Sequence, residues 1–191
     1  MGNVRRIIKL GVLVGCLALP ASSSAEVLTF DGLASNERLQ QYYNGGAGSL
    51  GSVGPDYGVV FNTDARALRD SDAGGSGLFA NEPSASGVLI FQSASGAAVV
   101  NMPDGISDAL SLSYSASREA SVTVYDGADG TGAILASVTL AENWQDGGCT
   151  GDPTGAYCHW DRIDIPFPSD PRTTTDRPTP ANGMSIRSQW Q

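Results

Sequence analysis

The chain has 191 residues, 41% of them hydrophobic and 16% charged, with a formal net charge of −9. A domain near this size buries about two-thirds of its unfolded surface, so the sequence carries material for one sizeable core. The acidic balance and the lone lysine, Lys9, exclude the basic footprint that holds nucleic acid and any attraction to anionic lipid.

In chain order, the first 25 residues read as a secretory signal peptide. A basic start with Arg5, Arg6 and Lys9 precedes an apolar stretch from Leu10 to Leu19, and Ser23-Ser-Ala25 offers a small-residue cleavage site. The apolar stretch is shorter than the roughly 20 residues of a membrane span. Leu13-Val-Gly-Cys16 offers lipoprotein anchoring at Cys16 as the alternative, against which the chain stays apolar beyond Cys16. Cleavage after Ala25 removes three cations and no acid, taking the net charge from −9 to −12. It leaves two cysteines, Cys149 and Cys158, for an oxidising compartment, and a disulfide between them is expected. Zinc is the weaker reading, because two Cys and the single His159 do not complete four ligands.

Residues 26–30 read as a first strand. Asn36 could cap a short helix over 35–43, with Leu39, Tyr42 and Tyr43 on its apolar face. The glycine-rich loop at 45–55 contains Gly46-Ala-Gly-Ser-Leu-Gly51, which spells a dinucleotide-binding fingerprint. Gly54-Pro55 stands where that motif needs a helix, so a nucleotide site is excluded. Strands are expected at 57–62, 87–92 and 97–101, with a turn at 102–105. Another is expected at 108–115, where Leu110, Leu112 and Tyr114 alternate with serines, as in a half-buried strand. A hairpin follows, 121–125 and 133–140, around an Asp/Gly turn. The run 159–167 closes the domain, and Pro166 confines it to an edge or an end. Short strands spaced by turns, with little helix, define an all-β class: an antiparallel β-sandwich, jelly-roll-like, spanning 26–167. The proline-rich segment 168–191 lacks apolar periodicity and reads as a disordered tail.

Several motifs carry a resemblance. They are Phe30-Asp-Gly-Leu33, Gly74-Gly-Ser-Gly-Leu-Phe-Ala-Asn-Glu-Pro-Ser84, Val122-Thr-Val-Tyr-Asp-Gly127 with Leu135-Ala-Ser-Val-Thr-Leu140, and Cys149-Thr-Gly-Asp-Pro-Thr-Gly-Ala-Tyr-Cys-His-Trp160. Together they resemble the exported β-sandwich domains of bacterial PEP-CTERM proteins, surface proteins usually made with exopolysaccharide. The resemblance covers 26–167. It implies a secreted, extracellular or periplasmic location and an exopolysaccharide or other glycan as partner; the apolar sorting helix of that family is not found in this sequence, so no transmembrane segment is expected in the mature chain. Members of that family continue into a further strand with a Phe-Asp-Asn-Ile-like motif, then a sorting signal. Here 168–191 instead reads as out-of-frame or foreign sequence on a truncated domain, leaving one strand position empty and an edge exposed. Translating the encoding DNA in the other frames tests this, since failure to restore that strand removes the idea.

Chemistry is sparse. His159 adjoins Cys158 and reads as a strand residue rather than a catalytic base, and no serine sits in a nucleophile elbow. No carboxylate pair is singled out for glycoside hydrolysis. Asp70, Asp72, Asn81 and Glu82 flank a glycine-rich turn and are the expected Ca²⁺ ligands, hard oxygens on a flexible loop. Trp144, Tyr157 and Trp160 bracket the cysteine loop and are the expected carbohydrate-binding rings. The expectation is a non-catalytic, calcium-stabilised, glycan-binding protein of the extracellular matrix. The alternatives are a purely structural surface protein and, behind it, a polysaccharide hydrolase.

Overall fold

The computed structural model describes residues 25–91, 97–106, 109–145, 149–150, 155–166 and 180–188. The export segment, Ala25 apart, and residues 168–179 and 189–191 of the tail lie outside them. The described residues form nine strands: β1 (Val60–Phe61), β2 (Ala65–Arg69), β3 (Gly87–Phe91), β4 (Ala97–Ile106), β5 (Ala109–Tyr114), β6 (Ala120–Tyr125), β7 (Ile134–Leu140), β8 (Asp161–Pro166) and β9 (Ala181–Ser188). The only helix among them is a 3-10 turn at Ala128–Gly130. All ladders are antiparallel: a five-stranded sheet in the order β1-β4-β9-β6-β7, and two-stranded sheets β2-β3 and β5-β8. The sandwich-like all-β class expected from the sequence is what the chain adopts.

Strand register explains the core. Val100 of β4 stands beside Met184 of β9, which faces Val124 of β6, which faces Ala136 of β7. The next row runs Ala98, Ile186, Val122 and Val138. Both rows share one face, because strand side chains alternate with a period of two. At one end this face packs with Leu33, Leu39, Tyr42, Tyr43, Phe61, Ala65 and Ala67, and at the other with Leu140 and Ile165. Met184 and Ile186 touch both clusters, so β9 joins the two halves of the core. Each fully buried valine of this kind contributes about 1.5–3 kcal/mol.

β9 overturns the expectation of disorder for residues 181–188. That stretch is a central strand, paired with β4 on one side and β6 on the other. Its apolar content is low because one set of alternating positions is small. Gly183 and Ser185 lie beneath the β6–β7 loop, and a Cβ on Gly183 would collide with the Gly127 carbonyl. Asn182 Nδ2 donates to the Asp126 carbonyl (2.7 Å), and Asp129 of the same loop exchanges two hydrogen bonds with Asn101 of β4 (2.7 and 2.8 Å).

Other differences are local. The helix expected over 35–43 is a series of turns, because Asn36 and Gln40 hold φ of +63° and +47°, outside the helical region. Its proposed apolar face is nevertheless buried, with Leu39, Tyr42 and Tyr43 all in the core. Residues 26–30 form no strand; Phe30 has φ +64°, and its N–H donates to the Tyr43 hydroxyl at 2.9 Å. The strand expected at 57–62 shrinks to two residues, and β2 was not anticipated. The turn expected at 102–105 is an irregularity inside β4, where the register to β9 shifts between Asn101 and Ile106 and Gly105 has φ +72°. Pro166, expected at an edge or an end, is the last residue of β8.

The glycine-rich loop that imitates a nucleotide motif surrounds a buried carboxylate. Glu37 is 0% exposed. Its Oε1 accepts the amides of Leu50 (2.9 Å) and Ser52 (3.1 Å), and its Oε2 accepts the Ala34 amide (2.8 Å) and the Ser52 hydroxyl (2.6 Å). Gly48 leaves no room for a Cβ beside that carboxylate. Burial pushes the Glu37 carboxyl up, but the Ser52 hydroxyl and the three amides outweigh it and hold the group below its ordinary value of 4.5.

Candidate functional site: an aromatic recess beside the disulfide

After Leu140 the chain leaves β7 and is pinned by Asn143, which is buried. Asn143 Oδ1 accepts the Ala116 amide (2.7 Å), and Nδ2 donates to the Tyr114 carbonyl (3.2 Å) and to Asp161 Oδ2 (3.0 Å). All the usual hydrogen-bonding directions of a side-chain amide except one are thereby used, and the 142–145 loop is fixed between the end of β5 and the start of β8. Next along the chain, the Trp144 carbonyl accepts the amides of Cys158 (2.9 Å) and His159 (3.3 Å). Cys149 and Cys158 form the expected disulfide, with Cα atoms 5.1 Å apart.

These constraints bring Trp144 and Tyr157 together. Their ring centroids lie 5.3 Å apart at an interplanar angle of 51°, and both rings are half-buried. Tyr157 donates its hydroxyl proton to Ser117 Oγ (3.2 Å), and Trp144 Nε1 donates to Glu142 Oε1 (3.3 Å). Beside the pair a shallow open recess is lined by Glu142, Asn143, Trp144 and Gln145. Ring faces next to an exposed carboxylate and an exposed amide suit a ligand with apolar C–H faces and hydroxyl edges. Glu142, Asn143 and Gln145 were not singled out from sequence. The signal was the short polar run around Trp144 directly after an apolar strand.

Trp160 does not join this pair. Its indole packs edge-on against buried Phe79 (centroids 6.4 Å apart, 90°), and Nε1 donates to the Ala80 carbonyl (3.0 Å). His159 Nε2 lies 3.1 Å from Asp161 Oδ1. The Asp161 carboxyl is held below the usual range by its hydrogen bonds from Asn143 and from His159, with the His159 charge adding to them.

The expected calcium ligands lie elsewhere. Asp70 is buried at 2% exposure, and its Oδ1 accepts the Phe79 amide (3.3 Å). Asn81, at φ +57°, donates its amide to the Cys158 carbonyl (3.4 Å). Asp72 is exposed and Glu82 half-buried. Among the described residues no group of three or more His, Cys, Asp or Glu side chains gathers to hold an ion. Likewise no helix among them is long and apolar enough to cross a membrane. The disulfide fits an oxidising, extracytoplasmic compartment. Compared with family models, curated proteins and solved structures, the chain matches none.

Proposed function

We propose that this is an exported, non-catalytic β-sandwich module of the cell surface or matrix that binds a carbohydrate, in keeping with the PEP-CTERM resemblance of its motifs. The observation that carries the reading is the Trp144–Tyr157 ring pair, held half-exposed beside Glu142 and Gln145. Sugar C–H faces stack on such rings, while carboxylate and amide groups take the hydroxyls. Pre-organisation by Asn143 and the disulfide lowers the ordering cost of binding. A net charge of −9 favours neutral glycans over anionic ones.

Tryptophan fluorescence and calorimetry across a panel of neutral oligosaccharides test it. At least one glycan should perturb Trp144, and Trp144→Ala should weaken that binding by about tenfold or more while thermal unfolding stays cooperative. A panel that leaves both signals unchanged removes the proposal.

A further inference from the structure

We propose that Arg38 and Arg66 form a binding site for a tetrahedral oxyanion, the sulfate or phosphate ester group of a ligand. The two arginines stand directly opposite each other on an antiparallel bridge between the turn segment 36–39 and β2. Leu39 N–H donates to the Ala65 carbonyl (3.2 Å) and Ala67 N–H to the Glu37 carbonyl (2.8 Å), so the bonds flank the Arg38–Arg66 pair and none lies within it. A pair of this kind has the closer of the two antiparallel spacings, about 4.5 Å between Cα atoms, with both side chains on one face. Glu37, Leu39, Ala65 and Ala67 are all 0% exposed. A slip by one residue would bring a buried set to the surface, so the register that juxtaposes the arginines is fixed. Ser49 holds the other side, its Oγ accepting the Arg38 amide (2.9 Å) and its N–H donating to the Arg38 carbonyl (3.0 Å).

Like charges set directly opposite one another destabilise a strand pair. With 20 acids against 11 Lys and Arg, the chain has carboxylates to spare for neutralising them. Among the described residues none lies within ion-pair distance of either guanidinium, whereas Arg162 has Asp164 at 3.3 Å. Asp64, two residues before Arg66, pairs with neither. On the opposite flank Arg66 faces Ile90 of β3, which carries no charge. Two guanidinium forks converging on one point exceed what a carboxylate needs, since its two oxygens are matched by a single fork. A sulfate or phosphate ester has three terminal oxygens aimed in different directions, and it accepts a fork on each of two sides. The net charge of −9 holds long polyanions away, so the site suits one ester group among neutral groups.

Inorganic phosphate and sulfate, titrated into the full exported chain at constant ionic strength, should shift the Nε–Hε NMR signals of Arg38 and Arg66 together along one saturable curve. Acetate should bind about tenfold more weakly or worse. The tighter of phosphate and sulfate names the ester, and either order supports the proposal. Arg38→Gln and Arg66→Gln should each raise the dissociation constant by about tenfold or more. Arg38 is exposed and Arg66 half-buried, so both variants should keep the cooperative unfolding of the parent. Both should also lose the rise in melting temperature that the bound anion gives the wild type. Shifts that never saturate, a response equalled by acetate, or an affinity unchanged in both variants would overturn the proposal.

Discussion

A single carboxylate organises the first third of the described chain. Glu37 ties the amides of Ala34, Leu50 and Ser52 and the Ser52 hydroxyl to one point, so a loop rich in glycine holds one shape. Glu37→Gln would keep the size but set an amide N–H₂ against groups that already donate. Denaturant unfolding should show a loss of about 2–3 kcal/mol, the range for hydrogen bonds to a charged group whose partners stay buried. Acid dependence gives an independent readout. The folded-state pKa is depressed, so the stabilisation is fully present above the ordinary value of 4.5 and is lost as pH falls through the depressed value. Wild type should therefore lose stability more steeply than Glu37→Gln through that acid window. Parallel profiles for the two would show that the carboxylate charge contributes nothing.

Among the elements, β9 has the most consequence for the fold. Its Met184 and Ile186 each touch both core clusters, and its Gly183 lets the β6–β7 loop lie across the sheet. Gly183→Ala would drive a Cβ into the Gly127 backbone, which cannot rotate away as a side-chain tip can. The loop must lift, at the expense of the Asn182–Asp126 and Asp129–Asn101 hydrogen bonds. Overpacking of this kind costs about 1–3 kcal/mol. The measurement is the denaturant midpoint, together with the amide shift of Asp129. A variant as stable as wild type, with that shift unmoved, would mean the loop does not rest on Gly183.

For the molecule as a whole, the disulfide connects compartment, stability and the aromatic recess. Cys158 is bonded to Cys149 and donates its amide to the Trp144 carbonyl, so the cross-link and the ring pair share a backbone. Replacing both cysteines by serine should lower stability by about 2–3 kcal/mol on the chain-entropy estimate for so short a loop. Reductant should shift the thermal midpoint of wild type downward and leave the double variant unmoved. It should also change the near-ultraviolet dichroism of Trp144 and Tyr157. A wild-type melt insensitive to reductant would separate the cross-link from stability.

Much of this architecture was legible before any coordinates. Alternation at 108–115, 121–125 and 159–167, and the hairpin arm at 133–140, marked strands that the structure forms as β5, β6, β8 and β7, and two cysteines in an otherwise exported-looking chain marked their own bond. Local signals suffice there because period-two patterning and covalent chemistry are written in neighbouring residues. β9 was not legible, since Gly183 and Ser185 carry no apolar signal and owe their burial to a loop more than fifty residues earlier in the chain. Glu37 went unremarked and Asp70 read as a calcium ligand, because nothing in their immediate neighbours marks either acid as buried. Trp144, Tyr157 and Trp160 looked equivalent in sequence, and only the fold packs Trp160 against buried Phe79 and pairs the other two with each other. The sequence by itself therefore determined the all-β class, the cross-link and most strand positions. Tertiary structure decided which strand lies at the centre, which acids are internal and which rings pair beside the disulfide, because burial depends on residues far apart along the chain.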